Sequence, residues 1–170
     1  PILLVIGGSL GSVTVNNAVR KLLPTLLDTF QIIHICGKGN LDENLIGQNG
    51  YVQYEYVDAP LRHLFAAADL IISRAGANSI CEILALRKPN ILIPLSAAAS
   101  RGDQILNARS FEKQGFSKVL EEEQISNDNL LHAIQDTFQN RQQYISAMEQ
   151  STLNDAVSTI IDLISSFAET

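Results

Sequence analysis

Along most of this 170-residue chain, short runs of apolar residues alternate with stretches in which apolar residues recur at the spacing of an α-helix. The first run, at 2–6, ends in the glycine turn GGSLG at 7–11, after which apolar residues recur at helical intervals up to Leu26. The same pattern predicts strands at 31–36, 51–57, 70–72, 90–94 and 117–120, and helices at 61–67, 78–86 and 103–114. Because helices connect parallel strands, this alternation predicts an α/β fold whose parallel sheet carries helices on both faces.

The chain has the size and apolar content of one domain. Hydrophobic residues make up 46% of it, and no apolar stretch reaches the ~18 residues of a membrane-spanning helix. We expect a single soluble domain over 1–170, with an amphipathic helix at 154–168 that packs on this domain or on another part of a longer protein. Cys36 and Cys81 lie among apolar residues, and we expect both to be buried, reduced thiols.

The formal net charge of −6 is unevenly distributed. Residues 1–120 carry 11 basic and 9 acidic side chains, whereas residues 121–170 carry 1 basic and 9 acidic ones. The acidity therefore belongs to the C-terminal segment, and the sequence shows no basic stripe with interleaved aromatic residues. Phosphate backbones require clustered Lys and Arg, so the composition argues against nucleic acid as a partner.

The glycine turn at 7–11 lacks the spacing of a dinucleotide-binding fingerprint. Ile6 stands where the leading glycine would be, and the strand at 31–36 is not followed by an acidic residue, which argues against NAD or FAD. Two interpretations remain: the glycines allow close packing of strand and helix, or Ser9 and nearby amides bind a diphosphate. The sequence GKG at 37–39 fails the spacing of a phosphate-binding P-loop, so we interpret it as a turn.

The sequence SRAGANSICE at 73–82 leads from a predicted strand into a predicted helix. A helix that starts on small residues offers free backbone N–H groups and the positive end of its dipole to an anion. Glu82 can accept hydrogen bonds from ribose hydroxyls, although Ser79-x-x-Glu82 also fits a capping box. Arg74 either balances the anion or pairs with Asp69. Together these features indicate a nucleotide or nucleotide-sugar site.

A second candidate region is the start of the predicted helix at 103–114. Gln104 and Asn107 lie one helical turn apart, so they share a face and can bond sugar hydroxyls, while Asp103 fits a helix cap. The three histidines share no spacing, and we expect them to be packed or exposed rather than catalytic. The sequence shows no metal-ligand cluster, no Asp-x-Asp pair and no paired acid and base, which indicates a ligand-binding chain without a catalytic base or metal.

Several motifs at consistent spacing carry a resemblance to a known family: GGSLG at 7–11, YVD at 56–58, RAGA at 74–77 with Glu82, NILIP at 90–94 and DQILNA at 103–108. In order and spacing they resemble the C-terminal domain of the bacterial GT-B glycosyltransferases that transfer N-acetylglucosamine from UDP-N-acetylglucosamine to lipid I, forming lipid II for peptidoglycan. The sequence SRGDQ at 100–104 resembles the Gram-positive form of that family.

The resemblance implies a Rossmann-like domain that forms the donor-binding, C-terminal half of a two-domain GT-B enzyme. It implies that the backbone at Val57 binds the uracil, that Glu82 binds the ribose hydroxyls and that Gln104 binds the N-acetylglucosamine. It assigns the diphosphate to Ser9 and to the helix start at Ala77, Asn78 and Ser79. Further candidates for contact with UDP-N-acetylglucosamine are Gly8, Arg74, Gly76, Asp103 and Asn107.

The same resemblance places the lipid I acceptor site, the membrane contact and the catalytic base in an N-terminal domain outside this chain. We therefore expect these 170 residues to bind the donor without turnover and without a cofactor, and the full protein to lie at the cytoplasmic face of the bacterial membrane. Two alternatives remain open. One is another GT-B enzyme that transfers a different UDP-sugar to a lipid; the other is a donor-binding subunit that needs a separate acceptor polypeptide.

Overall fold

The computed structural model describes residues 1–8, 11–57, 61–97 and 102–151. The predicted helix at 154–168 and the candidate residue Ser9 lie outside these ranges. The described chain forms one six-stranded sheet in which every strand pair is parallel. The α/β fold predicted from the alternating pattern is confirmed.

The sheet has the strand order β3-β2-β1-β4-β5-β6. Its strands are β1 Ile2–Ile6, β2 Gln31–Ile35, β3 Tyr51–Tyr54, β4 Leu70–Ser73, β5 Asn90–Leu92 and β6 Lys118–Val119. The helices are α1 Val13–Leu26, α2 Leu61–Ala67, α3 Ala77–Ala85, α4 Asp103–Lys113, α5 Asn127–Gln139 and α6 Arg141–Glu149. Because β1 pairs with both β2 and β4, the order reverses at β1, and a crevice opens there at the carboxyl edge of the sheet.

Helices cover both faces of the sheet, as the apolar strands require. Leu3 and Val5 of β1 point to one face, where they pack in a cluster with residues of α1 and α5. Leu4 and Ile6 point to the other face, in a cluster with residues of α2, α3, α4 and α6. The alternation along one strand thus divides the core into two layers.

Two predicted strands end at least two residues earlier in the structure than in the sequence pattern. β3 ends at Tyr54 rather than at residue 57, and β5 ends at Leu92 rather than at residue 94. Beyond these strand ends, Val57 and Leu95 line cavities at the sheet edge. The hydrophobicity of a residue predicts that it is at least partly buried, but it does not show whether the residue belongs to a strand or to the wall of a cleft.

The cysteines differ in burial. Cys36 is buried, as expected, but the expectation for Cys81 is wrong because its side chain is exposed. Helix α3 buries Ile80, Ile83 and Leu84 against the sheet, and Cys81 lies outside that apolar stripe. The GKG sequence is a turn, as predicted, with Gly37 at φ +87° and a hydrogen bond from the Asn40 amide to the Gly37 carbonyl.

Candidate functional site

A cleft of about 270 Å³ lies at the carboxyl ends of β1, β4 and β5. Three loops and the first turns of α3 and α4 form its wall, which consists of Gly7, Gly8, Gly11, Arg74, Gly76, Ser79, Leu95 and Gln104. The loop after β1 and the loop after β4 face each other across the point where the strand order reverses. Open parallel sheets bind their ligands at this position.

A second cavity of about 160 Å³ adjoins the cleft. Its wall is mostly apolar and consists of Ile6, Gly8, Ile35, Tyr56, Val57, Leu61 and Ser79. Gly8 and Ser79 border both cavities, so a ligand of two chemically different parts can occupy them together. We refer to the first as the polar cleft and to the second as the apolar pocket.

The glycines of the first turn have different roles. A Cβ on Gly11 would lie 2.0 Å from the carbonyl oxygen of Cys36, and a Cβ on Gly7 would lie 2.7 Å from the amide nitrogen of Ser12. The close-packing interpretation therefore holds for these two glycines. Gly8, at φ +90°, has no backbone atom within 4 Å of such a Cβ and instead borders both cavities.

Helix α3 begins at the cleft without a side-chain cap. Its N-cap is Gly76, and no side chain among the described residues accepts a hydrogen bond from the N–H groups of the first turn. The capping-box alternative is wrong, because Ser79 is the third residue of the helix rather than its cap and Glu82 is exposed. The N–H groups of Ala77, Asn78 and Ser79 are thus left for water or for an anion in the cleft.

Arg74 is buried in the wall of the polar cleft, with 7% of its surface exposed. Its Nη1 donates to the carbonyl oxygens of Ile93 and Pro94, at 3.2 and 3.1 Å. Its Nη2 donates to Ser12 Oγ and to Glu122 Oε1, each at 2.7 Å. The guanidinium therefore ties together the loops that follow β1, β4, β5 and β6.

The predicted alternative that Arg74 pairs with Asp69 is wrong. Asp69 Oδ2 accepts a hydrogen bond from the backbone amide of Ile2 at 2.7 Å, at the amino end of the sheet. Asp69 precedes β4 and Arg74 follows it, so the strand separates the two side chains. Sequence reasoning missed Ser12 and Glu122, which lie 62 and 48 residues from Arg74.

Helix α4 contributes Gln104 to the polar cleft. Gln104 Oε1 accepts from the backbone amide of Leu95 at 3.2 Å, which leaves its NH₂ group to donate. Asn107 is not in the wall of either cavity, and its Nδ2 donates to the carbonyl oxygen of Ala75 at 3.0 Å. The cap of α4 is Gly102, so Asp103 is its first residue and its side chain is exposed.

No histidine of the described chain borders the polar cleft or the apolar pocket. His34 is buried in the core, and His63 and His132 are exposed on helices, which is consistent with the packing or exposure expected from their spacing. Within residues 1–8, 11–57, 61–97 and 102–151, no helix combines the length and the apolar character needed to cross a membrane. In the same ranges no three His, Cys, Asp or Glu side chains are grouped as metal ligands.

The fold and the cleft define an α/β domain of the Rossmann type with its crevice at the strand-order reversal. Residues 2–163 match the model of the glycosyltransferase family 28 C-terminal domain. The chain belongs to this family.

Two related bacterial proteins match nearly the whole chain. One from Lachnoclostridium phytofermentans is 65% identical over 164 residues, and one from Geobacillus thermodenitrificans is 55% identical over 168 residues. Both are named as N-acetylglucosamine transferases, with UDP-N-acetylglucosamine and N-acetylmuramyl-(pentapeptide) pyrophosphoryl-undecaprenol in the name. The matches cover 96% and 99% of this chain but 46% and 47% of the relatives, so the chain spans about half of their length.

Solved structures show the same fold. The crystal structure of MurG from Acinetobacter baumannii matches with a TM-score of 0.76 at 24% sequence identity, covering 96% of this chain and 49% of that one. This likeness supports the Rossmann-like half of a GT-B architecture.

Proposed function

We propose that this chain is the donor-binding half of a glycosyltransferase that transfers N-acetylglucosamine from UDP-N-acetylglucosamine to lipid I, the N-acetylmuramyl-(pentapeptide) pyrophosphoryl-undecaprenol named for its relatives. The observation that carries the proposal is the pair of cavities that meet at Gly8 and Ser79. One is lined mostly by apolar side chains, and the other contains the start of α3 and the polar side chains of Arg74, Ser79 and Gln104. A nucleoside diphosphate sugar has the same two-part character.

The polar cleft suits the diphosphate and the sugar. The uncapped N–H groups of Ala77, Asn78 and Ser79 and the positive end of the α3 dipole favour an anion there. Gly8 and Gly76 allow its oxygens to approach the backbone, because neither carries a side chain. Ser9, outside the described residues, follows Gly8 in the sequence, and the NH₂ group of Gln104 is available to a sugar hydroxyl.

The apolar pocket suits the uracil. Ile6, Ile35, Val57 and Leu61 supply apolar surface for the faces of a planar ring. In this arrangement the backbone at Val57 binds the edge of the base.

Glu82 suits the ribose between the two cavities. It lies three residues after Ser79 and therefore neighbours it on the surface of α3. Its exposed carboxylate has two oxygens that can accept from adjacent ribose hydroxyls. Glu82, Asp103 and Asn107 all lie outside the walls of the two cavities, but Glu82 shares α3 with Ser79, which borders both. Asp103 and Asn107 are weaker candidates, because they lie on α4 and the Asn107 amide donates to the carbonyl oxygen of Ala75.

The chemical contribution of this half is stabilisation of the leaving group. As the bond between the anomeric carbon and the diphosphate breaks, negative charge grows on UDP beside the start of α3 and the Arg74 guanidinium. Attack by the acceptor hydroxyl inverts the anomeric carbon, and the group that takes the hydroxyl proton lies in the other half of the protein. The lipid acceptor places the full protein at the cytoplasmic face of the membrane.

Calorimetric titration of the full-length protein that carries this chain tests the proposal. We expect it to bind UDP-N-acetylglucosamine and UDP, to bind UDP-glucose more weakly, and not to bind NAD. Glu82→Ala removes the ribose contact, so we expect UDP-N-acetylglucosamine and UDP to bind roughly tenfold more weakly. Glu43→Ala removes an exposed carboxylate elsewhere and is the matched control.

Each other outcome contradicts a defined part of the proposal. If the protein binds none of the three uridine nucleotides, it has no donor site of this kind. Equal binding of UDP-glucose and UDP-N-acetylglucosamine indicates a GT-B enzyme with a different donor. If the full-length protein binds the donor but transfers sugar to a lipid I analogue only after a second polypeptide is added, the chain is a donor-binding subunit.

A further inference from the structure

The guanidinium of Arg74 donates four hydrogen bonds to partners in the described part of the chain. Its two Nη atoms donate to Ser12, Glu122 and the carbonyl oxygens of two residues after β5. Its Nε is buried and has no hydrogen-bond partner among the described residues. That nitrogen is closed to solvent, so the effect of Arg74 on the polar cleft comes from its positive charge within the wall rather than from a free N–H group.

Glu122 is the only carboxylate in the described chain that forms an ion pair with Arg74. It lies on a 3₁₀ turn at Glu122–Gln124, after β6, and only 18% of its side chain is exposed. The preceding residue, Glu121, pairs with Arg109 of α4 at 2.5 Å. Adjacent carboxylates thus connect one short turn to the cleft wall at Arg74 and to the helix that carries Gln104.

We propose that Glu122 is a positioning residue for the donor diphosphate, acting through Arg74. The proposal rests on the donor-binding function proposed above. Glu122 and Ser12 both hold Nη2, and this fixes the guanidinium in one orientation before any ligand arrives. In that orientation the positive charge is fixed in the cleft wall beside the proposed diphosphate, and the loops that the guanidinium joins keep their places, so the ligand does not have to immobilise a long, flexible side chain.

Glu122 also stabilises the buried positive charge of Arg74 in the wall of the polar cleft. A buried charge without a partner is strongly unfavourable, and an arginine without Glu122 would rotate toward water. The carboxylate compensates the guanidinium from the side of β6, whereas the polar cleft lies on the side of Gly8 and Gly76. Glu122 therefore holds Arg74 from the side away from the polar cleft, and the positive charge of Arg74 can act on a ligand in the cleft.

The test separates the phosphate part of binding from the nucleoside part. Dissociation constants for uridine and UDP are measured with the full-length protein and with Glu122→Ala and Glu122→Gln. We expect Glu122→Ala to bind UDP roughly tenfold more weakly and to bind uridine as the unaltered protein does, because uridine carries no phosphate. Glu122→Gln keeps an oxygen that accepts from Nη2, so we expect it to retain most of the UDP affinity.

Glu123→Ala is the matched control, since Glu123 is the exposed neighbour on the same turn. If Glu122→Ala does not fold, Glu122→Asp replaces it: the charge remains, but the shorter side chain shifts it away from Nη2, and UDP affinity alone is expected to fall. Equal losses of uridine and UDP affinity would show a merely structural role and overturn the proposal, as would unchanged UDP affinity. Failure of the unaltered protein to bind either ligand would overturn the donor-binding function itself.

Discussion

In the core beside α1, Nε2 of His34 donates a hydrogen bond to Oδ1 of Asn16 across 2.9 Å. The direction is fixed because Asn16 Nδ2 donates to the carbonyl oxygen of Cys36, which leaves Oδ1 as the acceptor. The other ring nitrogen, Nδ1, then accepts from the hydroxyl of Tyr51 at 3.0 Å. The imidazole is neutral and fully hydrogen-bonded, and a second proton would displace the Tyr51 bond.

This network predicts a loss of stability in mild acid. Burial, and secondarily the positive charge of Arg20, lower the pKa of His34 from 6.5 to about 3. The unfolded chain therefore takes up a proton below pH 6.5 that the folded chain refuses, and folding free energy is lost as the pH falls from 6.5 toward 3. We expect the free energy of unfolding, measured with urea, to fall by about 2 kcal/mol from this group between pH 7 and pH 5.

Two histidine variants isolate this effect. His34→Gln cannot take up a proton, so the difference in stability between pH 7 and pH 5 is expected to shrink by the same amount, whatever the absolute stability of the variant. His63→Gln changes an exposed histidine of α2 and should leave the difference as it is. A pH dependence that is equal in His34→Gln and in the unaltered protein would contradict the prediction.

Gly11 is expected to be the least replaceable glycine of the described chain. Its φ of +76° disfavours any other residue, and a Cβ there would lie 2.0 Å from the carbonyl oxygen of Cys36, a backbone atom that cannot rotate away. Gly39 has a similar φ of +74° but no atom within 4 Å of such a Cβ. We expect Gly39→Ala to cost about 1 kcal/mol and Gly11→Ala at least ~3 kcal/mol in urea unfolding. Similar costs for the two variants would contradict the steric argument.

Arg87 offers a route to higher stability. It is the one residue other than glycine with positive φ, +50°, among the described residues, and it directly follows Leu86, the C-cap of α3. The amide of Lys88 bonds the carbonyl oxygen of Ile83 at 3.0 Å, a helix ending that favours glycine. We expect Arg87→Gly to raise the free energy of unfolding by roughly 0.5–1 kcal/mol. Ala85→Gly, within the same helix, is expected to lower it by about 1 kcal/mol, and an equal effect of both variants would refute the prediction.

The sheet and its helices were predictable because their signals are local. Strand β1 and helix α2 have the predicted bounds, since a short apolar run and helical spacing each depend on a few neighbouring residues. The start of α3 was placed one residue late. A capping box requires the serine at the cap, and the helix already begins at Ala77, so spacing fits the motif while geometry does not.

The partners of Arg74 were not predictable from the sequence. Asp69 is five residues away and has the right charge, whereas Glu122 lies 48 residues away in the acidic C-terminal segment. What brings Glu122 to the cleft is the pairing of β5 with β6, which sets the following turn at the same sheet edge as the loop after β4. The composition shows that residues 121–170 are acidic as a whole. It does not show which carboxylates of that segment form ion pairs, and in the described part these are Glu121 and Glu122.

The orientation of the Gln104 amide leads to a final prediction about the polar cleft. Its oxygen accepts from the backbone amide of Leu95, and its NH₂ group remains as a donor. Gln104→Glu keeps an oxygen for Leu95 but replaces the donor with negative charge beside the proposed diphosphate, so calorimetry should show at least ~tenfold weaker binding of UDP-N-acetylglucosamine and unchanged binding of uridine. Gln114→Glu makes the same change at the exposed end of α4 and should bind both ligands normally. Normal donor binding by Gln104→Glu would mean that this amide faces neither the sugar nor the diphosphate.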